Sequence, residues 1–129
     1  MIVITSEEVA NTKRHVFGPG WDSKRMIVKA DGVGYSVHET RLVEGSVQHL
    51  QYKNHYETNY CYAGEGTVEN VATGEVFPIK PGTIYALDQH DEHIVRAING
   101  DLHLVCIFNP PVIGTETHND EHGYDLADD

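Results

Sequence analysis

Short strand-like segments that alternate with turns constrain the fold of this chain more than any other feature of its sequence. Nine segments are rich in β-branched and aromatic residues or alternate apolar with polar positions: 25–30, 35–42, 47–52, 58–62, 66–71, 75–79, 83–87, 93–98 and 102–108. Strands at a spacing of about 8–12 residues are typical of β-sandwiches and β-barrels. The sequence therefore predicts an all-β fold.

Glycine-containing turns separate these segments. The pair Asn99-Gly100 gives the strongest turn signal, because both residues tolerate a positive φ. It predicts a tight hairpin in which segments 93–98 and 102–108 pair with each other.

The length and pattern of the chain indicate one domain. Its 129 residues fit a single core, and we expect an N-terminal segment at 1–24, a barrel at 25–109 and a C-terminal tail at 110–129. Thr5 and Glu8 have the spacing of a capping box, which predicts a short helix in the N-terminal segment.

The composition argues against several classes of partner. With 20 acidic and 9 basic residues, the chain has a formal charge of −11 and repels nucleic-acid phosphates and anionic membranes. No apolar run approaches the ~18 residues of a membrane span, and the first residues lack the pattern of a signal peptide. Cys61 and Cys106 match neither a disulfide framework nor a zinc motif. We expect a cytoplasmic protein that binds neither nucleic acid nor membranes.

Two short motifs resemble those of the cupin β-barrels. Glu57 is followed seven residues later by Gly64, which matches the end of the first cupin motif, and Pro81-Gly82 matches the turn of the second. The chain departs from both motifs at the histidines: the His-x-His pair is missing, and Tyr85 occupies the position of the second motif's histidine. We therefore expect a single cupin-type, jelly-roll-like barrel without the three-histidine site.

Three side chains remain as candidate metal ligands in such a barrel. Glu57, Tyr85 and His93 offer a carboxylate, a phenol and an imidazole, a set that suits Fe²⁺, Mn²⁺ or Zn²⁺. The alternative is a barrel without a metal, in which Tyr85 is a core residue and Glu57 is solvated.

Longer stretches of the chain resemble the ectoine synthase family. The similarity is most specific in segment 79–94, which reads IKPGTIYALDQHDEHI, and extends to segments 20–26, 60–67 and 114–119. The resemblance implies an iron-dependent homodimer that converts N-γ-acetyl-L-2,4-diaminobutyrate into the compatible solute ectoine and water. It also implies that Glu57, Tyr85 and His93 are the metal ligands.

The implied reaction explains why such a site is useful. The α-amine of the substrate attacks the acetamide carbonyl of the same molecule, so a cavity that folds the substrate removes much of the entropic barrier. A metal can polarise the carbonyl, and a proton carrier must serve the amine and the departing water. Tyr52 and Tyr85 are both candidates for the proton carrier.

The resemblance further implies where the substrate binds. The family's substrate contacts fall here on Trp21, Arg25, Thr40, Tyr52, Cys106, Phe108, Glu116 and His118. Arg25 suits a substrate carboxylate, and the tail segment 114–119 is predicted to close over the barrel mouth as a lid. Carboxylates beyond Asp120 are expected to be solvated. At His38 the chain departs from the family, which more often has asparagine.

Side-chain alternation along the strands adds two candidates to the cavity wall. If Tyr85 points inward, so does Leu87, and His55 is expected at the mouth of the site because it lies two residues before Glu57. For Leu87, as for Cys106 and Phe108, an ordinary core position is the alternative. Trp21 and Arg25 could equally lie at the surface.

Two other classes of function stay open from the sequence. A non-catalytic cupin that binds a metabolite needs neither a liganded phenol nor a closing tail. A cupin dioxygenase or isomerase is disfavoured because the His-x-His pair is missing.

Overall fold

The computed structural model describes residues 1–126 of the chain, which consist mainly of β-strands. Helix α1 spans Ser6–Val9, and a turn of 3-10 helix spans Lys29–Asp31. The strands are β1 His15–Gly18, β2 Trp21–Ile27, β3 Ser36–Leu42, β4 Val47–Leu50, β5 Tyr56–Asn70, β6 Val76–Ile79, β7 Ile84–Leu87 and β8 His93–Asn109. The predicted all-β fold with a short N-terminal helix is confirmed.

The capping box defines the start of α1. The Thr5 hydroxyl accepts a hydrogen bond from the Glu8 backbone amide at 3.2 Å, and the Glu8 carboxylate accepts one from the Thr5 amide at 3.0 Å. The helix is joined to the sheet through Ser6, whose hydroxyl donates to the Glu39 carboxylate at 2.7 Å and accepts from the Lys24 ammonium at 2.8 Å. Among residues 1–126, no helix has the length and apolar character that a membrane span requires.

Two long antiparallel strands, β5 and β8, form the centre of the sheet. They pair from Tyr56 opposite Asn109 to Asn70 opposite His93. The first half of β5 also pairs with β7 and its second half with β6. The first half of β8 pairs with β4, and its second half with β3, which continues through β2 to β1. The strands thereby enclose one apolar core.

The predicted hairpin at Asn99-Gly100 is wrong. Asn99 pairs with Glu65 of β5, and β8 continues past this point to Asn109. Gly100 does have a positive φ of 80°, but it lies where the register between β5 and β8 shifts, so it serves a bulge and not a turn. The signal for a positive φ is correct, and the structure inferred from it is not.

Two glycines allow β5 to bend past β8. A Cβ atom on Gly64 would collide with the carbonyl oxygen of Asp101, and one on Gly66 with that of Arg96. Gly64 also has a φ of +81°, which other residues rarely adopt. The two strands predicted on either side of these glycines are therefore a single bent strand.

The sheet begins earlier than predicted. The segment before residue 25 was expected to lie outside the barrel, but β1 and β2 form a hairpin and β2 pairs with β3. The start of β2 escapes prediction because its buried positions are polar. Asp22, Ser23 and Arg25 are 8%, 2% and 0% exposed, and hydrophobic alternation detects only strands that bury apolar side chains.

The C-terminal tail folds back onto the barrel. The Lys53 amide donates to the His122 carbonyl at 2.8 Å, Gly123 is buried, and Tyr124 is only 5% exposed. The carboxylates of Glu121 and Asp125 are exposed, as expected for this part of the tail, but Tyr124 beside them is buried. The acidic composition of the segment hid a single buried aromatic residue.

Candidate functional site

A cavity lies inside the barrel and is lined by residues of the sheet and of the tail. Nine of the residues predicted for the site line it: Trp21, Thr40, Tyr52, Glu57, Tyr85, His93, Cys106, Phe108 and His118. They come from strands β2, β3, β5, β7 and β8, from the loop after β4 and from the tail. Residues far apart in the sequence thus share one enclosure, as expected for a binding site.

The strand register brings two of the three candidate ligands, Glu57 and Tyr85, to the same wall. Glu57 lies opposite Leu87 and Phe108, while Tyr85 lies opposite Asn59, two residues further along β5. Because alternate residues of a strand face the same side, Glu57 and Tyr85 both point into the cavity. His93, the first residue of β8, completes the group.

Glu57 and His93 face each other in surroundings that exclude water. Their side chains are 7% and 1% exposed, and His93 Nε2 lies 4.0 Å from Glu57 Oε1. Burial raises the pKa of the Glu57 carboxyl to about 7 and lowers the pKa of the His93 imidazole to about 4. Both shifts favour the neutral forms, so the two side chains are not a salt bridge on their own.

The orientation of the His93 ring leaves one nitrogen available. His93 Nδ1 lies 2.9 Å from the carbonyl oxygen of Asp91, to which it donates when the ring is neutral. Nε2 then carries the lone pair, is buried, and has no hydrogen-bond partner among residues 1–126. A backbone carbonyl behind Nδ1 is the arrangement typical of a metal-binding histidine.

The group fits a divalent metal only if a phenol takes part. Among residues 1–126, no three His, Cys, Asp or Glu side chains are grouped so that they could hold a metal ion. Tyr85 supplies a further oxygen on the same wall, and burial raises the pKa of its hydroxyl well above the ordinary value. Binding to a cation offsets that effect, since it stabilises the deprotonated oxygen. A carboxylate, a phenolate and an imidazole are ligands that Fe²⁺, Mn²⁺ and Zn²⁺ accept.

Tyr52 occupies the centre of an aromatic cluster beside this group. Its ring lies 6.3 Å from the ring of His93 and makes edge contacts with Phe108 and His118 at 5.0 and 5.5 Å. Burial raises the pKa of the Tyr52 hydroxyl well above its ordinary value, and the neighbouring Tyr124 raises it further. Tyr52 therefore keeps its proton at neutral pH.

Arg25 does not line the cavity, although it was predicted to contact the substrate. The side chain is 0% exposed, so it is not a solvated residue either. Its guanidinium donates to Ser23 Oγ at 3.0 Å, to the Glu116 carbonyl at 2.7 Å and to the Tyr124 hydroxyl at 3.1 Å. The guanidinium thus lies behind the cavity wall and joins β2 to the tail.

Glu116 also has a different place from the one predicted. Its carboxylate accepts hydrogen bonds from the backbone amides of Ile113, Gly114 and Thr115 at 2.8, 2.8 and 3.0 Å. The carboxylate is therefore used to turn the chain into the tail, and Glu116 is not among the residues that line the cavity.

His55 and Leu87 lie close to the cavity without lining it. His55 is 1% exposed, contacts the rings of Phe108 and Tyr124 edge-on at 5.9 Å each, and has both ring nitrogens unpartnered within residues 1–126. Leu87 is 7% exposed and belongs to the apolar core. For Leu87, the ordinary core position is what the structure shows.

The departure at His38 places an uncharged ring in the cavity wall. His38 is 1% exposed and stacks on Phe108, with ring centroids 4.7 Å apart. Its Nε2 lies 3.2 Å from Ser36 Oγ. Burial lowers the pKa of His38 well below its ordinary value, and the nearby Arg25 and His55 lower it further.

Tyr124 is the lining residue that sequence reasoning missed most clearly. It lies outside the segment expected to act as a lid, but it lines the cavity and contacts Tyr52 and Phe108 at ring distances of 4.9 and 5.2 Å. The available signal was a lone aromatic residue that follows a glycine in an otherwise acidic tail. Ser23 and Asn59, polar residues inside strands, also line the cavity and were not predicted.

Comparison with known proteins gives consistent matches along the whole chain. The sequence model of the family described as "Ectoine synthase" matches residues 1–128. An L-ectoine synthase of Halalkalibacterium halodurans is 50% identical over 129 residues, which cover 100% of this chain and 99% of the relative.

Solved structures agree with this match. The crystal structure of ectoine synthase from P. lautus has a TM-score of 0.87 at 42% identity and covers 99% of this chain and 92% of that one. A cupin-2 domain from Rhodospirillum rubrum has a TM-score of 0.61 at 15% identity and covers 70% of this chain and 60% of that one. The second likeness concerns the fold alone, and it supports the predicted cupin architecture.

Proposed function

The chain belongs to the ectoine synthase family, and from this premise we propose how its cavity carries out the family's reaction. The activity is that of a hydro-lyase, which closes N-γ-acetyl-L-2,4-diaminobutyrate into the cyclic amidine ectoine and releases water. We propose that the cavity lined by Glu57, Tyr85 and His93 is the active site and that it holds one divalent metal, Fe²⁺ in the cell, with Zn²⁺ and Mn²⁺ as possible substitutes.

The single observation that carries this proposal is the unpartnered Nε2 of His93. A buried nitrogen lone pair without a hydrogen bond is costly, and this one faces the Glu57 carboxylate at 4.0 Å. Glu57 loses its proton when it binds a cation. Glu57, Tyr85 and His93 would hold a divalent metal there, which would supply a Lewis acid for the amide carbonyl of the substrate.

The other cavity residues restrict the conformation of the substrate and exclude water from it. The substrate must fold so that its α-amine approaches its own acetamide carbon, and walls made of Trp21, Cys106 and Phe108 restrict it to compact conformers. His118 and Tyr124, from the tail, cover the same cavity. Excluding water favours a reaction that releases water, and it protects the amidine from hydrolysis.

Proton transfer falls to Tyr52 in this account. Ring closure forms a carbon–nitrogen bond, breaks the bond to the carbonyl oxygen, and delivers two protons from nitrogen to the departing water. As a metal ligand Tyr85 would be a phenolate, which would have no proton of its own to donate to the departing oxygen. Tyr52 lines the cavity, keeps its proton at neutral pH and lies beside His93. It therefore serves as the general acid–base group.

We further propose a cytoplasmic homodimer. Tyr60, Ile84 and Ile107, on the outer face of β5, β7 and β8, are 46%, 64% and 41% exposed. Tyr60 lies directly opposite Ile84 in the strand register, so the face is continuous. Exposed apolar faces of this kind are typical of protein–protein contacts, and a symmetric second copy is their commonest partner.

Turnover by the purified protein tests the proposed function. Metal-free protein supplied with the acetylated diaminobutyrate should form ectoine only after Fe²⁺ is added. Glu57→Gln should abolish this response, whereas Glu75→Gln, in an exposed turn, should preserve it. Substrate binding without ectoine formation would instead identify a non-catalytic metabolite-binding cupin.

A further inference from the structure

A buried positive charge lies directly behind the active-site wall. Arg25 is fully buried, and no ion pair found among residues 1–126 involves it. Its three hydrogen-bond acceptors are the neutral oxygens of Ser23, Glu116 and Tyr124. A desolvated charge without an opposite charge is unfavourable, so an anion within reach of its field is expected to be stabilised.

Tyr124 connects that charge to the cavity. Arg25 Nη2 donates to the Tyr124 hydroxyl at 3.1 Å, and the guanidinium carbon lies 5.5 Å from the centre of the Tyr124 ring. Arg25 does not line the cavity, whereas Tyr124 does. A phenol oxygen that accepts a hydrogen bond from a cation becomes a stronger donor through its own hydrogen.

The backbone around Tyr124 fixes the position of this hydroxyl. Gly123 exchanges backbone hydrogen bonds with Asn119 at 2.7 and 3.0 Å, and Asn54 Nδ2 donates to the Tyr124 carbonyl at 3.0 Å. A Cβ atom on Gly123 would collide with the Gln51 carbonyl oxygen. The tail therefore has a close and specific seat against the loop after β4.

We propose that Tyr124 is a specificity-determining residue whose hydroxyl, held by Arg25, binds the carboxylate of the substrate. This inference rests on the proposed function, since it concerns the same cavity and substrate. Tyr124 gives the active site a donor for an anion at the point where Arg25 itself cannot reach. The metal-binding group lies on strands β5, β7 and β8, so the substrate is bound by its carboxylate at one part of the wall and by its amide at another.

Removal of one hydroxyl, measured with two substrates, tests the assignment. The second substrate is N-acetyl-1,3-diaminopropane, which contains the reacting amine and amide but no carboxylate. Tyr124→Phe keeps the ring and should raise KM for the natural substrate by at least about tenfold, as expected for a lost hydrogen bond to a charged group. The same hydroxyl is hydrogen-bonded to Tyr52, so turnover of the carboxylate-free analogue should also fall, but its kcat/KM should fall at least about tenfold less than that of the natural substrate, because the analogue has no carboxylate for the hydroxyl to bind.

Tyr35→Phe, an exposed tyrosine outside both the cavity and the proposed dimer face, is the matched control and should change neither value. Equal losses for both substrates, or no loss for either, would overturn the assignment. Failure of the unmodified protein to close either substrate would instead contradict the proposed function, so the two failures are distinguishable. A thermal melt and the bound-iron content of Tyr124→Phe verify that the fold and the metal site are intact.

Discussion

The Glu57 carboxyl and the His93 imidazole are both buried, and burial favours the uncharged form of each. Burial moves the two pKa values in opposite directions, to about 7 and about 4. At neutral pH the imidazole is therefore ready to bind a metal, and the carboxyl, whose pKa is about 7, is protonated in only about half of the molecules. The sequence predicted this pair together with Tyr85, because cupin-type motifs and strand alternation specify which way these side chains point. It could not choose between Tyr52 and Tyr85 as proton carrier, because that choice depends on neighbours from other strands.

The role of Tyr52 predicts a loss of rate without a loss of metal. Tyr52→Phe keeps the ring contacts with Phe108 and His118 but removes the proton. We expect kcat to fall at least about 100-fold, the usual contribution of general acid–base catalysis, while bound iron stays at the level of the unmodified protein. Steady-state kinetics and elemental analysis measure the two quantities. A kcat within a few-fold of normal would move the proton transfer to another group.

Two elements of the fold were not predicted because the residues around their buried positions are polar. Strand β2 buries Asp22, Ser23 and Arg25, and the tail buries Tyr124 amid carboxylates. Neither segment has an apolar period, so the sequence pattern placed the first outside the barrel and did not indicate that Tyr124 is buried in the second. The glycine signal at Gly100 was real, but long-range pairing between β5 and β8 determined that it forms a bulge.

The buried position of Tyr124 in the cavity wall predicts how far the tail can be shortened without loss of activity. A chain that ends after Tyr124 should keep most of its turnover, whereas a chain that ends after Asp120 should lose it and still bind iron. The reason is that the shorter chain lacks part of the cavity wall and the acceptor of the Arg25 hydrogen bond. Ectoine formation and iron content of the two truncated proteins test this. Equal turnover in both would mean that residues 121–124 do not belong to the active site.

The carboxylate of Asp22, which links strands β1, β2 and β3, predicts that the stability of the fold depends on pH. Asp22 of β2 accepts hydrogen bonds from His15 of β1 at 2.8 Å and from Arg41 of β3 at 2.7 Å. Burial alone would raise its pKa, but the bonds from His15 and Arg41 outweigh burial and place the pKa below the ordinary value of 3.8. The stabilisation is therefore present above pH 3.8 and is lost as the pH falls through the lower, folded-state pKa.

Asp22→Asn should accordingly lower the free energy of unfolding by about 1–3 kcal/mol at pH 7. The difference from the unmodified protein should shrink as the pH falls below 3.8. Urea unfolding at a series of pH values measures this, with Glu75→Gln as the exposed control. A difference that stays constant with pH would show that the charge on Asp22 is not what stabilises the joint.

For the whole molecule, one curled sheet and one folded tail bring distant residues into a single cavity. Strand spacing and turn residues were sufficient to predict the fold class, and the candidate site residues include nine of the 18 residues that line the cavity. The sequence could not show which buried residues reach the cavity and which, like Arg25 and His55, are buried without lining it. That distinction depends on how all the strands pack together.

The exposed face of Tyr60, Ile84 and Ile107 predicts the assembly state. Light scattering at micromolar concentration should report about twice the mass of 14.4 kDa. Ile84→Asp, at the most exposed of these positions, should shift the protein toward the monomer, whereas Val76→Asp, on β6, should not. A monomer at every concentration would contradict the proposed dimer.

Bound iron in ligand variants tests the central claim most directly, namely that Glu57, Tyr85 and His93 together hold the metal. Elemental analysis of protein loaded with Fe²⁺ should find about one iron per chain in the unmodified protein and in His49→Ala, a largely exposed histidine outside the group. Glu57→Ala, Tyr85→Ala and His93→Ala should each lose most of the iron while their circular-dichroism spectra stay those of a folded β-protein. Full iron occupancy in folded His93→Ala would contradict the account.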